Sequence, residues 1–180
     1  MKKRAVFFDR DGVLNQDIGY LYKKADFVWM PNAIEAIRYI NQKQIYVFVI
    51  TNQSGIARGY YEEEDVKQLH QWMNEELAKY DAHIDDFFYC PHYEKGNVAK
   101  YAILCNCRKP KTGLIEQAFS KYDDIDRQNS IMIGDKLSDV ECAENAGLRG
   151  IRYRGEDLLN LVQCELGNKN GANFDLYCEL

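Results

Sequence analysis

Asp9, Arg10, Asp11 and Gly12 directly follow the apolar run at 5–8, so two carboxylates stand at i and i+2 where the chain leaves a candidate strand. In extended backbone such a pair faces one side, which lets one acid attack an electrophile while the other gives and takes protons. Two further junctions repeat the pattern. The apolar run 45–50 gives way to Thr51, Asn52, Gln53, Ser54 and Gly55, and the run 130–133 to Gly134, Asp135, Lys136 and, three residues on, Asp139. Another stretch delivers Arg108, Lys109 and Pro110. Carboxylates, a hydroxyl and cations are what phosphoryl transfer uses, because the protein must position the group and neutralise its charge. Asp9 is the candidate nucleophile and Asp11 the acid and base. Two acids beside a phosphate call for a hard cation, and oxygen ligands from Asp9, the Asp11 carbonyl and Asp135 suit Mg2+. Thr51 and the backbone amides after it can hold phosphoryl oxygens, with Lys109 adding charge.

A second constellation lies at 90–107. Cys90 and His92, twelve intervening residues, then Cys105 and Cys107 offer four ligands, the number that closes a structural zinc site. The cluster ends on Arg108 and Lys109. A zinc staple there holds these two cations steady over a phosphate, in a loop too polar to pack by itself.

The bulk properties narrow the partner. At 180 residues the chain fits one domain, taken as 1–180, and its net charge of -5 without a basic run argues against nucleic acid or an anionic membrane. The expected partner is a small phosphorylated molecule. With no span-length apolar run and an N-terminus that turns charged too soon for a signal peptide, the expected compartment is the cytoplasm. A monomer is expected.

These residues need a frame. Short runs at 5–8, 45–50, 130–133 and 150–153 read as buried strands, and Val66, Leu69, Met73, Leu77 and Tyr80 mark an amphipathic helix. Other helices are expected around 34–40 and 114–122, and a fourth from Ser138, with Glu141 closing its capping box. Strands alternating with helices make an α/β, doubly wound parallel sheet, whose ligands gather at the carboxyl ends of the strands. The insertions are short, so no large cap domain is expected, and loops 12–30, 53–62 and 90–110 should shape an open site.

Taken together, "FFDRDGVLN", "TNQSGIARG", "CPH", "CNCRKP" and "GDKLSD" resemble the haloacid dehalogenase phosphatase superfamily. More narrowly they resemble its heptose bisphosphate phosphatases and the related histidinol phosphatase domain. The match runs from 5 to about 153, with Ala57 where the related motif often has Gly. The resemblance implies hydrolysis of the 7-phosphate of a heptose 1,7-bisphosphate through an aspartyl-phosphate on Asp9, in nucleotide-activated heptose biosynthesis for lipopolysaccharide, capsule or S-layer glycans. It implies catalytic roles for Asp9, Asp11, Thr51 and Lys109, magnesium on Asp9, Asp11 and Asp135, and zinc on Cys90, His92, Cys105 and Cys107. It also implies substrate contacts from Asp17, Ile18, Gly19, Tyr20, Thr51, Asn52, Gln53, Ser54, Arg108, Lys109 and Lys136.

Two other functions compete with it. A histidinol-phosphate phosphatase would want a pocket acid near the substrate's ammonium, and a non-catalytic phosphate-binding module would have lost its nucleophile, which is present. Duller readings attach to single residues. An isolated D-x-D-G is often only a turn, His70 and His83 read as satisfied surface or boundary residues, and Cys142, Cys164 and Cys178 as small hydrophobes. The "EEED" run reads as a solvated helix start, Arg58 as either a substrate contact or a solvated charge, and Asp139 as ambiguous, a brace for the metal site being its duller role.

Overall fold

Residues 2–167 are described by a computed structural model, and Cys178 lies outside them. Among the described residues five strands form one sheet in the order β3-β2-β1-β4-β5: β1 (Ala5–Phe8), β2 (Tyr46–Asn52), β3 (Asp86–Cys90), β4 (Ile131–Gly134) and β5 (Arg149–Arg152). Every adjacent pair is parallel, with Phe8 opposite both Val49 and Ile133. Both faces of such a sheet must be covered, and the two-residue period divides the strands between two cores. Val6, Phe8, Val47 and Val49 point to α1 (Ala33–Gln42), α3 (Glu63–Ala78) and α6 (Leu158–Gly167). Ala5, Phe7, Phe48 and Ile50 point to α4 (Gly113–Lys121) and α5 (Leu137–Asn145). Between β2 and α3 lies one short turn of helix, α2 (Gly55–Arg58).

The doubly wound parallel sheet is as expected, and four details correct the sequence reading. β3 was not foreseen: its run begins on Asp86 and lies at the sheet edge, half-buried, without the continuous apolar signature of a central strand. The start of α5 is not capped by Ser138 and Glu141. Instead the Asp139 carboxylate accepts the backbone N–H of Lys136 at 2.9 Å. His70 is not at the surface but 4 % exposed, stacked on Phe87 at 4.4 Å, because it shares the inward face of α3 with Val66, Met73 and Leu77. The "EEED" run is only partly solvated, since Glu63 accepts hydrogen bonds from the Tyr89 and Tyr101 hydroxyls at 2.8 and 2.5 Å.

β1, β2 and β4 end side by side. The chain first winds outward from β1 to β2 and β3, then crosses back to β4 and β5, so the order reverses between β1 and β4. That reversal opens a crevice at their carboxyl ends, where loops from both halves meet.

Candidate active site

In that crevice lies a cleft of about 490 Å³, lined by residues from all the expected loops. Asp9, Asp11, Asp17, Gly19, Tyr20, Thr51, Asn52, Gln53, Ser54, Arg108, Lys109 and Lys136 border it, joined by Tyr61, Ser138 and Asp139. Ile18 does not line the cleft; it is 56 % exposed to solvent.

Lys109 is the hub. Its Nζ lies 2.8 Å from Asp9 Oδ1 and 2.7 Å from Asp139 Oδ1, and donates to the Ile50 carbonyl at 2.8 Å. All three ionic side chains are buried. Desolvation would lower the Lys109 pKa, but the Asp9 and Asp139 charges outweigh it and raise it. For Asp9 burial dominates instead: with Lys109 opposing and Asp139 adding repulsion, the carboxyl is pushed up to about 7. Asn52 fixes the backbone that carries this cation, accepting the Lys109 N–H at 3.1 Å and donating to the Lys109 carbonyl at 3.3 Å. Sequence alone left Asp139 ambiguous; here it is both the cap of α5 and the second partner of Lys109.

Asp11 is held differently. Its carboxylate accepts from Arg10 Nε at 3.2 Å and Nη2 at 3.0 Å, from Asn15 at 3.0 Å and from Gln53 at 3.1 Å. Arg10 is fully buried and also bonds the Leu21 carbonyl and His70 Nε2. Burial, and after it the Arg10 charge, holds His70 well below the usual imidazole range, so it stays neutral and accepts from Arg10. The side chain of Asp11 is thus engaged by this network rather than by the carboxylate cluster.

Three carboxylates do gather. Asp9, Asp135 and Asp139 can each bring one oxygen within 4.8 Å of the others. Asp139 is already engaged by Lys109, whereas Asp135 Oδ1 is buried with no hydrogen-bond partner. An orphaned buried carboxylate oxygen is what a cation site leaves, and all-oxygen donors beside a phosphate cleft fit magnesium. Gly12 admits that carboxylate: at φ +92 it carries no Cβ, and one would stand 2.7 Å from Asp135 Oδ2.

Thr51 accepts from Gln53 Nε2 at 2.9 Å, which leaves its own hydroxyl proton to donate into the cleft. Gln53 is oriented in turn by Tyr61, whose hydroxyl donates to Gln53 Oε1 at 2.7 Å. Tyr61 escaped the sequence reading because a lone aromatic in a loop carries no motif. The backbone amide of Gln53 is not among the donors expected to hold phosphoryl oxygens; it is spent on the Cys90 carbonyl at 2.8 Å. At the rim Lys136 Nζ lies 3.4 Å from Asp17, whose other oxygen accepts from the Gly19 amide at 3.0 Å.

Behind the cleft the four zinc-type ligands converge. Cys90 Sγ lies 3.1 Å from Cys107 Sγ and 3.6 Å from Cys105 Sγ, and His92 Nδ1 lies 3.3 Å from Cys107 Sγ. Zinc–sulfur bonds of about 2.3 Å give a tetrahedron with edges of roughly 3.7 Å, so the cluster is close to the required size. Hydrogen bonds from Cys90 and then His92 hold the Cys107 thiol below its usual range, favouring the thiolate a metal binds. Arg108 and Lys109 follow the last ligand at once.

Comparison with known proteins agrees with this geometry. A HAD-hydrolase-like family model matches residues 106–157. The chain is 45% identical over 157 residues to the D-glycero-beta-D-manno-heptose-1,7-bisphosphate 7-phosphatase of Rhodopseudomonas palustris, covering 87% of each protein. It is equally 45% identical over 148 residues to the corresponding alpha-named enzyme of Campylobacter jejuni, covering 82% of this chain and 80% of that one. Among solved structures it matches D,D-heptose 1,7-bisphosphate phosphatase of B. bronchiseptica, complexed with magnesium and phosphate. There the TM-score is 0.76 at 28% identity, over 92% of this chain and 99% of that one. By sequence, sheet topology and cleft, the chain belongs to the D-glycero-D-manno-heptose 1,7-bisphosphate 7-phosphatase family of the haloacid dehalogenase superfamily.

Proposed function

We propose that this chain hydrolyses the 7-phosphate of D-glycero-D-manno-heptose 1,7-bisphosphate, releasing heptose 1-phosphate and inorganic phosphate. The observation that carries this reading is the buried contact between Lys109 and Asp9, 2.8 Å apart at the floor of a cleft with a cationic rim. Asp9 attacks phosphorus and the bond to the sugar oxygen breaks, with Asp11 supplying the proton to that oxygen. Water then attacks the aspartyl-phosphate while Asp11 takes its proton, and Asp9 is regenerated. For the first step Asp11 must carry a proton and yield one hydrogen bond. Gln53 can yield it, since its amide nitrogen already bonds Thr51 as well. Thr51 and Lys109 hold the phosphoryl oxygens as charge develops on them.

Asp9, Asp135 and the Asp11 carbonyl would hold magnesium, which when bound would supply the charge that lets acids and phosphate share the cleft. Zinc on Cys90, His92, Cys105 and Cys107 is structural, since four protein ligands leave no open position. The rim favours a bisphosphate over histidinol phosphate. At the rim Lys136 lies 3.4 Å from Asp17, and Arg108 lines the same cleft, so its cations outnumber the one acid outside the catalytic group. We take 1–180 as a single domain acting as a cytoplasmic monomer; no helix among the described residues is long and apolar enough to cross a membrane.

Phosphate release from both anomers of the bisphosphate and from histidinol phosphate, with and without Mg2+, tests the reading. Magnesium-dependent release from a heptose bisphosphate, abolished in Asp9→Asn, is expected. Preference for histidinol phosphate would overturn the substrate, and release by Asp9→Asn would overturn the mechanism.

A further inference from the structure

Two guanidinium groups share one aromatic ring, and one of them, that of Arg108, lines the cleft. Arg58 lies 4.3 Å from the centre of the Tyr93 ring, and Arg108 lies 5.3 Å from the same centre. Arg58 also lies 5.7 Å from the Tyr20 ring, which borders the cleft. Neither arginine has a carboxylate within ion-pair distance among the described residues. Arg58 Nε is buried and has no hydrogen-bond partner. Like charges gathered without a counter-ion repel one another, so a feature that keeps both in place has to offset that cost. The negative face of an aromatic ring does so without cancelling either charge.

The backbone is built to hold this arrangement. The Ala57 carbonyl, next to Arg58, accepts the N–H groups of Asn97 and Val98 at 2.7 and 2.9 Å, tying α2 to the zinc loop. Arg108 donates to the His92 carbonyl at 3.3 Å, so it is oriented from the zinc ligand and from the ring beside it. Arg108 lines the cleft, whereas Arg58 and Tyr93 do not.

We propose that Tyr93, braced by Arg58, is a positioning residue for the second phosphate of the substrate: it presents Arg108, charged and unpaired, to the group that is not hydrolysed. Arg58 acts through the ring and extends the brace to Tyr20, which borders the cleft. This rests on the reading that the substrate is a bisphosphate. It assigns discrimination between bisphosphate and monophosphate to residues that touch neither phosphorus.

The test compares kcat and KM for heptose 1,7-bisphosphate and heptose 7-phosphate in the wild type, Tyr93→Ala, Tyr93→Phe and Arg58→Lys, with zinc content measured for each. Tyr93→Ala should raise KM for the bisphosphate about tenfold, keep kcat within about twofold, and leave kcat/KM for the 7-phosphate unchanged. Tyr93→Phe keeps the ring and should behave as wild type. Arg58→Lys replaces the guanidinium over the ring by a compact ammonium and should follow Tyr93→Ala in weaker form. Because Arg58 lies outside the zinc loop, it keeps the inference testable if Tyr93→Ala loses its metal. Equal losses on both substrates, or wild-type behaviour of both Tyr93→Ala and Arg58→Lys, would overturn the positioning role and leave the proposed function standing. A wild-type protein that does not hydrolyse the bisphosphate would sink the proposed function and this inference with it.

Discussion

Asp139 Oδ1 lies 2.7 Å from Lys109 Nζ, and both side chains are almost fully buried. The pair joins the start of α5 to the loop that follows the zinc ligands, and it leaves Lys109 between two carboxylates rather than one. Removing one partner of a buried ion pair leaves a charge with neither water nor counter-ion.

Asp139→Asn should therefore cost about 3 kcal/mol of stability, although the amide can still cap α5 through its oxygen. The freed cation would bind Asp9 more tightly and blunt it as a nucleophile, so kcat should fall by on the order of a hundredfold. Urea unfolding and steady-state kinetics on one preparation measure both. A stable, fully active variant would show that Lys109 needs only Asp9.

Asp9 gives a pH dependence whose sign can be worked out. Its carboxyl rises from an unfolded value of 3.8 to about 7 in the metal-free fold, so the folded state holds that proton more tightly. This stabilisation is present in full below the unfolded value and is lost as pH rises toward 7. Magnesium competes with the same proton, so its affinity should fall about tenfold per pH unit below 7. Calorimetric titration of Mg2+ at pH 5.5, 6.5 and 7.5 reads it directly, and a flat affinity would contradict the raised pKa of Asp9. In Asp9→Asn the metal-free melting temperature should lose this component of its pH response.

Gly12 stands where a Cβ would meet the Asp135 carboxylate. Gly12→Ala would combine positive φ with a contact of 2.7 Å, so strain of about 1–2 kcal/mol and weaker magnesium binding should appear together. Melting temperature with and without Mg2+ separates them: the stabilisation that magnesium gives the wild type should shrink in the variant.

The zinc cluster predicts one equivalent of metal. Cys107→Ser should lose it and lower the melting temperature by on the order of 10 °C, because binding free energy at such a site is folding free energy. Elemental analysis and thermal denaturation check the two halves of that statement. Activity should decline with the loss of order around Arg108 and Lys109, not in proportion to magnesium occupancy.

How far the sequence could be read depended on how local each signal was. β1, β2 and β4 are apolar on both faces and announce themselves, as do the loops that follow them. β3 is half-polar at the sheet edge and does not. His70 stood in the buried register of α3 all along, at i+4 from Val66, but a polar residue at such a position reads as a boundary until its partner Arg10 is seen. The bonds of Asp11 to Arg10 and Asn15 are close in sequence, yet their geometry depends on the turn at Gly12, and that to Gln53 comes from another strand end. Tyr61 lies 8 residues from Gln53 but carries no motif, and the tie of Asp139 to Lys109 is a long-range fact with no local trace. The four zinc-type ligands were legible because metal chemistry fixes residue type and number independently of fold.

The all-parallel order of the sheet also bears on how the molecule becomes active after synthesis. Parallel neighbours cannot be joined by a tight hairpin, so each pairing waits for a crossover to form, and such non-local contacts are slow to assemble. Lys109 meets Asp9 only when β1, β2 and the loop after β3 have all taken their places. Recovery of turnover during refolding is thus a late event, lagging behind the appearance of helix and reporting completion of the whole sheet.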